Sequence, residues 1–484
     1  MDITKVDTPV RARTSTVVAP QRTAISETLS QFAVTCTYDS VPEIVRERAK
    51  YLLLDAIGIA YASTSFDFAH RAHSALVSTS RSAGSKAIGM RGDFEMRDAV
   101  VMNSMLVHGL DFDDTYFAGG IHPTASCFPS ALAVAADVPA SGREFLRAYI
   151  VAMEVATRVS SVAQGALNQV GIHPSSLVGA FAGAIAAGCL MQLNAHQLTM
   201  AQGITLGMAG GTLQSLQDGS WTKRIQPGWA AASGVTAARL AKQGFIGSIE
   251  AYEGLFGLFP TYLRGRESDC DYSLATAGLG ETWNIPRVAL KPYPACHATQ
   301  ACIEATLTLA KAHALTPPQI KSITAVVPPH YVKLVCEPLE QKRRPGSSYG
   351  AQFSVPYTIA CALVRGRFGL TEIGEAAFTD PAILDLARKV DYRVDQAFST
   401  ERFKTSRPAE VLIATTDGHK YSHNVTALRG SLDRPLDSSE VVAKFMDNAA
   451  AVMTRAQADR ICGAVLSIEQ EPDASRFEKL LALY

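Results

Sequence analysis

The sequence predicts a mainly α protein: a large all-helical domain built from N- and C-terminal parts, with a smaller α+β unit inserted between them. Three observations predict it. Apolar, alanine-rich segments recur at helical spacing up to about residue 287. Prolines at 286, 292, 294, 317, 318, 328 and 329 then break the pattern, and alternating stretches follow. Helical patterning returns from Ser438 to the end. The expected division is a flexible tail over 1–22, helical domain over 23–287, α+β unit over 288–425 and helical domain again over 426–484.

Each element has its own warrant. Ser40 and Glu43 are spaced as a capping box ahead of a helix over Ile44–Tyr61, whose Ala49, Leu52, Leu53, Ala56, Ile57 and Ala60 share a face. Further helices are expected over Asp98–Leu110, Cys127–Ala136, Arg143–Ser161, Ser176–Leu193, Ala195–Ala209 and Trp229–Lys242. Several carry few charges on any side, which suits the interior of a bundle. In the α+β unit, Ile320–Val327 reads as a strand. Glu410–Thr416 and Lys420–Val425 read as a hairpin turning at Asp417-Gly418. Helices are expected over Ser354–Val364, Ala382–Val390, Ser438–Ala449 and Ala456–Ser467.

Composition excludes some functions. The 484 residues carry 45 Lys plus Arg and 45 Asp plus Glu, so no global field draws nucleic acid or an anionic membrane. Attraction for an acidic substrate must be local. Nine cysteines without C-x-x-C spacing argue against a disulfide framework and a structural zinc site, and for a reducing, cytoplasmic setting. Arg11, Arg13 and Arg22 leave a mitochondrial transit peptide open, against which Asp2 and Asp7 count. The longest uncharged apolar stretch, Leu177–Met191, is short for a membrane span and reads as a buried helix. No phosphate-binding glycine loop is present.

Four segments could carry chemistry. Asp111, Asp113 and Asp114 crowd three carboxylates at the end of a helix, where the helix dipole disfavours them. They read as a functional loop, a solvated acidic turn or a hard-metal site, and His122 downstream could act as general acid or base. His173 precedes the Gly/Ala-rich helix, where Ser175 or Ser176 would cap it and free N–H groups would favour a carboxylate. Lys223 and Arg224 could bind carboxylates, one as a point charge and one bidentately, or form a solvated pair. Lys291, Cys296 and His297 sit on a proline-stiffened segment. Neighbouring Cys and His rarely face each other, so a Cys–His nucleophile is the lesser reading.

In this order the segments resemble the MmgE/PrpD family of 2-methylcitrate dehydratases, cis-aconitate decarboxylases and iminodisuccinate epimerases. The resemblance rests on His108-Gly-Leu-Asp111-Phe-Asp-Asp-Thr115 with His122-Pro123, on His173-Pro174, Lys223 and Lys291-Pro-Tyr-Pro-Ala-Cys296, and on Ala351-Gln352-Phe353-Ser354-Val355-Pro356-Tyr357. It implies that the α+β unit is a lid, that the chain forms a homodimer, and that the pocket between domains holds a small polycarboxylate without cofactor or metal. It further implies catalytic roles for Asp111, Thr115, His122, His173, Lys223 and Tyr331. Arg224, Ser176, Lys291, Cys296 and His297 would contact substrate. A lid-domain histidine of the decarboxylases aligns with Cys296, so His297 serves only if the register slips by one.

The expected chemistry is a carbanion or enolate next to a carboxylate. Dehydration of a 2-methylcitrate-like or other alkylcitrate substrate ranks first, decarboxylation of cis-aconitate to itaconate second, and epimerisation of a dicarboxylate such as iminodisuccinate third. The rivals from other classes are a metal-dependent hydrolase using Asp111, Asp113 and Asp114, and a non-enzymatic helical scaffold.

Overall fold

The computed structural model describes residues 23–80, 84–399 and 407–482. The expected tail over 1–22 lies outside them. Helices of the first part include α1 (Ile25–Thr35), α2 (Glu43–Ser63), α3 (Met96–His108), α4 (Thr124–Asp137), α5 (Gly142–Val162), α6 (Pro174–Leu190), α7 (Ala195–Leu206) and α8 (Thr222–Lys242). Every residue of α6 is buried, as an apolar helix with no polar face requires. Among the described residues no single helix is long and apolar enough to cross a membrane.

Small residues let the helices around the site touch backbone to backbone. A Cβ on Gly234 of α8 would sit 2.1 Å from the Ala180 carbonyl oxygen of α6. One on Gly228 would sit 2.7 Å from the Val101 carbonyl oxygen of α3. Both are contacts that no side chain tolerates, so these glycines set the approach of α8 to α3 and α6. Pro227 lies inside α8 and lacks the N–H that would bond the Lys223 carbonyl. The Pro227-Gly228 pair reads as a helix breaker, which is why Trp229 was the expected start; the helix begins two turns earlier and carries Lys223 in its first turn. The Ser40–Glu43 capping box does not form either. Pro42 is the N-cap of α2, and the Ser40 hydroxyl accepts from the Thr37 N–H and donates to the Thr37 carbonyl.

The second part starts with α9 (His297–His313) and a four-stranded sheet: β1 (Ile320–Val327), β2 (Val390–Val394), β3 (Ala409–Thr415) and β4 (Lys420–Val425). The spatial order is β2-β1-β3-β4. β1 pairs parallel with β2 and antiparallel with β3, and β3 with β4 forms the expected hairpin. Gly418 in its turn has φ 93°, the left-handed region that glycine enters freely. α10 (Val355–Arg365) is capped by Ser354, which accepts from the Tyr357 N–H. The helix expected over Ala382–Val390 ends at Ala387, and Val390 opens β2 instead.

The last helices, α11 (Ser438–Ala449), α12 (Arg455–Leu466) and α13 (Ala474–Leu481), return to the first part. Phe445 of α11 packs on Gly58 of α2. Lys444 makes a 2.7 Å ion pair with Asp55 of α2, and its ammonium lies 3.6 Å above the Phe112 ring. α11 thus braces the loop that follows α3.

Candidate active site

That loop is the centre of the site. Asp111 adopts φ 49°, a conformation that costs a non-glycine residue roughly 1–3 kcal/mol. Its carboxylate is bracketed by two buried ammonium groups, with Lys223 Nζ 2.7 Å from Oδ1 and Lys291 Nζ 3.0 Å from Oδ2. Lys291 also donates to the Asp111 carbonyl at 2.6 Å. Burial alone would raise the Asp111 carboxyl; the two lysines outweigh it and hold the group well below the usual carboxylate range. Lys291 reaches this place because Ala289 and Thr115 pair through two backbone hydrogen bonds, 2.8 and 2.9 Å. Gln352, from the Ala351–Tyr357 motif, ties the same parts together. Its side chain donates to the carbonyls of Leu110 and Pro294, and its carbonyl accepts from the Cys296 N–H.

The three aspartates do not converge. Asp113 accepts from His108 Nδ1 at 2.7 Å. Asp114 accepts from the Thr124 hydroxyl at 2.6 Å. Each carboxylate has its own partners, so the crowding that made the motif conspicuous is resolved by divergence, and a metal held by all three does not fit. The metal-like grouping among the described residues is His108, Asp113 and His122, and there His108 Nδ1 and Asp113 are already hydrogen-bonded to each other. Burial, then the charges of Asp113 and Asp55, push the Asp114 carboxyl up to about 8, so it is protonated at neutral pH. Asparagine at 114 imitates that neutral acid and cannot ionise. A raised folded-state pKa means that stability is lost as pH rises from the unfolded value near 4 to about 8. The melting temperature of Asp114→Asn relative to wild type is therefore expected to climb from pH 5 to pH 8 and level off above. A pH-independent offset in thermal unfolding would contradict the assignment.

Four imidazoles surround the lysine–aspartate centre, and their partners fix their tautomers. The rings of His108 and His122 are 5.0 Å apart, and those of His108 and His173 are 5.7 Å apart. His108 Nδ1–H donates to Asp113, and Nε2 accepts from Lys223 Nζ at 3.1 Å. Both nitrogens are engaged, so His108 orients Lys223. His122 Nδ1 lies 2.8 Å from the Asp114 carbonyl, which can only accept, so Nδ1 carries the proton. Thr115 Oγ1 stands 3.1 Å from His122 Nδ1 and 3.1 Å from His297 Nδ1. The hydroxyl accepts from the first and donates to the second, leaving Nε2–H of His297 as a donor. His173 Nδ1 faces Gln226 Oε1 at 3.1 Å. Gln226 Nε2 is held by the Thr212 carbonyl, so the amide orientation is set and His173 Nδ1 donates. Its Nε2 is buried without a partner among the described residues, a free lone pair in the site. Burial, with the neighbouring lysines, holds all four imidazoles well below their ordinary pKa, so they are neutral.

The remaining expected residues fall in different places. Cys296 is the N-cap of α9; burial, then Asp111, pushes its thiol up, which disfavours a thiolate nucleophile. His297, one position on, is the residue that enters the site. Tyr331 is buried, and its hydroxyl accepts from Arg407 at 2.8 Å. Arg224 does not reach forward as a fork. Its guanidinium lies 4.3 Å from the Phe68 ring centroid, 5.2 Å from Tyr349 and 5.7 Å from Trp221, and burial lowers its pKa to about 10. Ser176 does not cap α6: its hydroxyl donates to the Gly210 and Gln226 carbonyls. Ser175 accepts from the His122 N–H. His108, Gln226 and Arg407 were not among the expected site residues. The signal for His108 was its place three residues before Asp111, on the last turn of α3. A groove of about 510 Å³ beside Tyr38, Arg143 and Arg147 holds none of these groups. A cleft of about 50 Å³ is bordered by Phe117, whose ring stands edge-on to His297.

The helical scaffold thus gathers two lysines, four neutral histidines and an ion-paired aspartate in one place. MmgE/PrpD N-terminal and C-terminal domains match residues 27–271 and 293–470, and the chain belongs to the MmgE/PrpD family. It is 28% identical over 483 residues to a cis-aconitate decarboxylase of Aspergillus terreus, covering 95% of this chain and 96% of that one. It is 26% identical to the human cis-aconitate decarboxylase, with 90% of each chain covered. The mouse protein of that name is 25% identical, with 90% of this chain and 88% of that one covered.

Proposed function

We propose that the protein is a cofactor-independent lyase that decarboxylates cis-aconitate, or a close tricarboxylate, to an itaconate-type product. The observation that carries this reading is His297 Nδ1 at 3.1 Å from Thr115 Oγ1. The family resemblance alone ranked dehydration first, and the alignment of the decarboxylase histidine with Cys296 counted further against decarboxylation. The structure has an imidazole in the site all the same, supplied by the next residue, and that departure no longer counts against decarboxylation. The named relatives support the same order.

The chemistry follows from the charges. The C–C bond to the carboxylate on the saturated methylene breaks and CO₂ leaves. The electron pair passes through the alkene to the carbon bearing the conjugated carboxylate, and one proton is taken up there. Lys223 and Lys291 hold that carboxylate, sharing charge with Asp111, and stabilise the enolate-like state inside a buried site where such contacts are strong. A bound polyanion reverses the effect of the lysines on the imidazoles and favours their protonation. His297 or His173, protonated with the substrate, then delivers the proton to carbon; a positioned acid contributes on the order of 10²–10⁴-fold. The exposed Phe245, Ile246, Leu255 and Phe256 are large apolar side chains of the kind that the expected homodimer would cover.

The test is product identification by mass after separate incubation with cis-aconitate and 2-methylcitrate, with and without a strong chelator. The reading predicts CO₂ and a five-carbon alkene diacid from cis-aconitate only, at the same rate with chelator. Alkene formation from 2-methylcitrate alone would restore dehydration, and chelator-sensitive turnover would restore the metal-dependent class.

A further inference from the structure

The lysines at the centre of the site already have a counter-ion. Lys223 and Lys291 share Asp111, and Lys444 is matched by Asp55. Arg407 and Arg224 are not matched in this way, each having a buried Nε without a partner among the described residues, and Arg407 is the one on the His297 side, beside Phe117. Among the described residues no carboxylate lies within ion-pair distance of it. Its Nη1 donates to the Tyr331 hydroxyl, a neutral partner, while its Nε is buried with no partner among the described residues. The guanidinium lies 5.2 Å from the Phe117 ring centroid and 5.6 Å from that of Tyr331, and Phe117 stands edge-on to His297 at 4.9 Å. Contacts therefore run in one series, from the Lys223–Asp111–Lys291 centre through His108, His122, Thr115 and His297 to Phe117 and Arg407. The backbone of Arg407 has φ 52°, a left-handed conformation that an arginine enters only when its surroundings hold it there. A desolvated guanidinium donor without an anion is unfavourable unless a ligand completes it. Planar, bidentate donors are suited to a carboxylate.

We propose that Arg407 binds the substrate carboxylate that lies on the far side of His297 from the lysine pair, and so selects tricarboxylates over analogues lacking one terminal carboxylate. This rests on the reading of the site as a polycarboxylate site. It gives Tyr331 a role as well: its hydroxyl orients the arginine.

Calorimetric binding of propane-1,2,3-tricarboxylate and of methylsuccinate, which lacks one terminal carboxylate, tests the proposal on wild type, Arg407→Gln and Arg407→Lys. Loss of a charge-assisted contact predicts about 30-fold weaker tricarboxylate binding by Arg407→Gln. Methylsuccinate affinity is expected to change less than about 3-fold by the same reasoning, since its carboxylates do not reach the arginine. Arg407→Lys keeps the charge and the fold and should fall between. Equal losses for both ligands, or no loss for either, in a lysine or glutamine variant that melts like wild type would overturn the role of Arg407. The outcome separates from that of the proposed reaction. A wild type that binds the tricarboxylate but releases no CO₂ from cis-aconitate sinks the reaction and leaves Arg407 standing; turnover with unchanged binding by Arg407→Gln does the reverse.

Discussion

Replacing Lys223 with methionine is expected to lower kcat/KM by about 10³-fold or more, the cost of removing one preorganised charge from a developing anion. Methionine keeps the stem and its packing in the first turn of α8, so the loss isolates the ammonium. That ammonium touches two groups, Asp111 Oδ1 at 2.7 Å and His108 Nε2 at 3.1 Å. Arginine should not rescue it, because a planar fork cannot replace a compact ammonium between a carboxylate and an imidazole. Steady-state kinetics on cis-aconitate beside a thermal melt makes the check. A variant with intact melting and less than 10-fold loss would remove Lys223 from the chemistry.

Asp111→Asn is the second large effect, and it should appear in stability before activity. Asn enters the left-handed region more readily than most residues, so φ 49° is preserved and only the charge is lost. Two buried ammonium groups then face each other without their counter-ion. Breaking a buried ion pair on one side costs about 3–5 kcal/mol. The expected result is a large drop in melting temperature that a tricarboxylate partly restores, because the ligand supplies the missing anion. Wild type should gain less from the same ligand. Equal ligand-induced shifts in the two proteins would mean that the ligand does not meet the lysines.

Periodicity made much of the fold legible. α11 matches its expected ends at Ser438 and Ala449, and β1 matches at Ile320 and Val327, because each is a clean repeat bounded by turn residues. β2 was not legible. Its Asp391 and Arg393 alternate with too few apolar partners over five residues, and it joins the sheet through parallel pairing with β1, a long-range contact that local pattern does not carry. The site was legible as motifs but not as geometry. Asp111, Thr115, His122, His173, Lys223 and Lys291 announce themselves by charge type in unusual places, and they do gather. Which nitrogen of each imidazole is free depends on a carbonyl of Asp114, an amide of Gln226 and a hydroxyl of Thr115, and no spacing encodes those. Arg224 and Lys223 are neighbours of one charge with opposite fates, because one faces Asp111 and the other faces Phe68, Trp221 and Tyr349. Arg407 had no signal around it; only the fold carries it to Tyr331 and Phe117.

The central claim is that these separated segments cradle a polyanion at Lys223 and Lys291. A crystal structure of the protein with propane-1,2,3-tricarboxylate measures it most directly. One ligand carboxylate should lie within hydrogen-bond distance of both ammonium groups, with His173 Nε2 and His297 Nε2 turned toward its carbon chain. Ligand density in the groove beside Tyr38, Arg143 and Arg147, with the lysine–aspartate centre undisturbed, would contradict it.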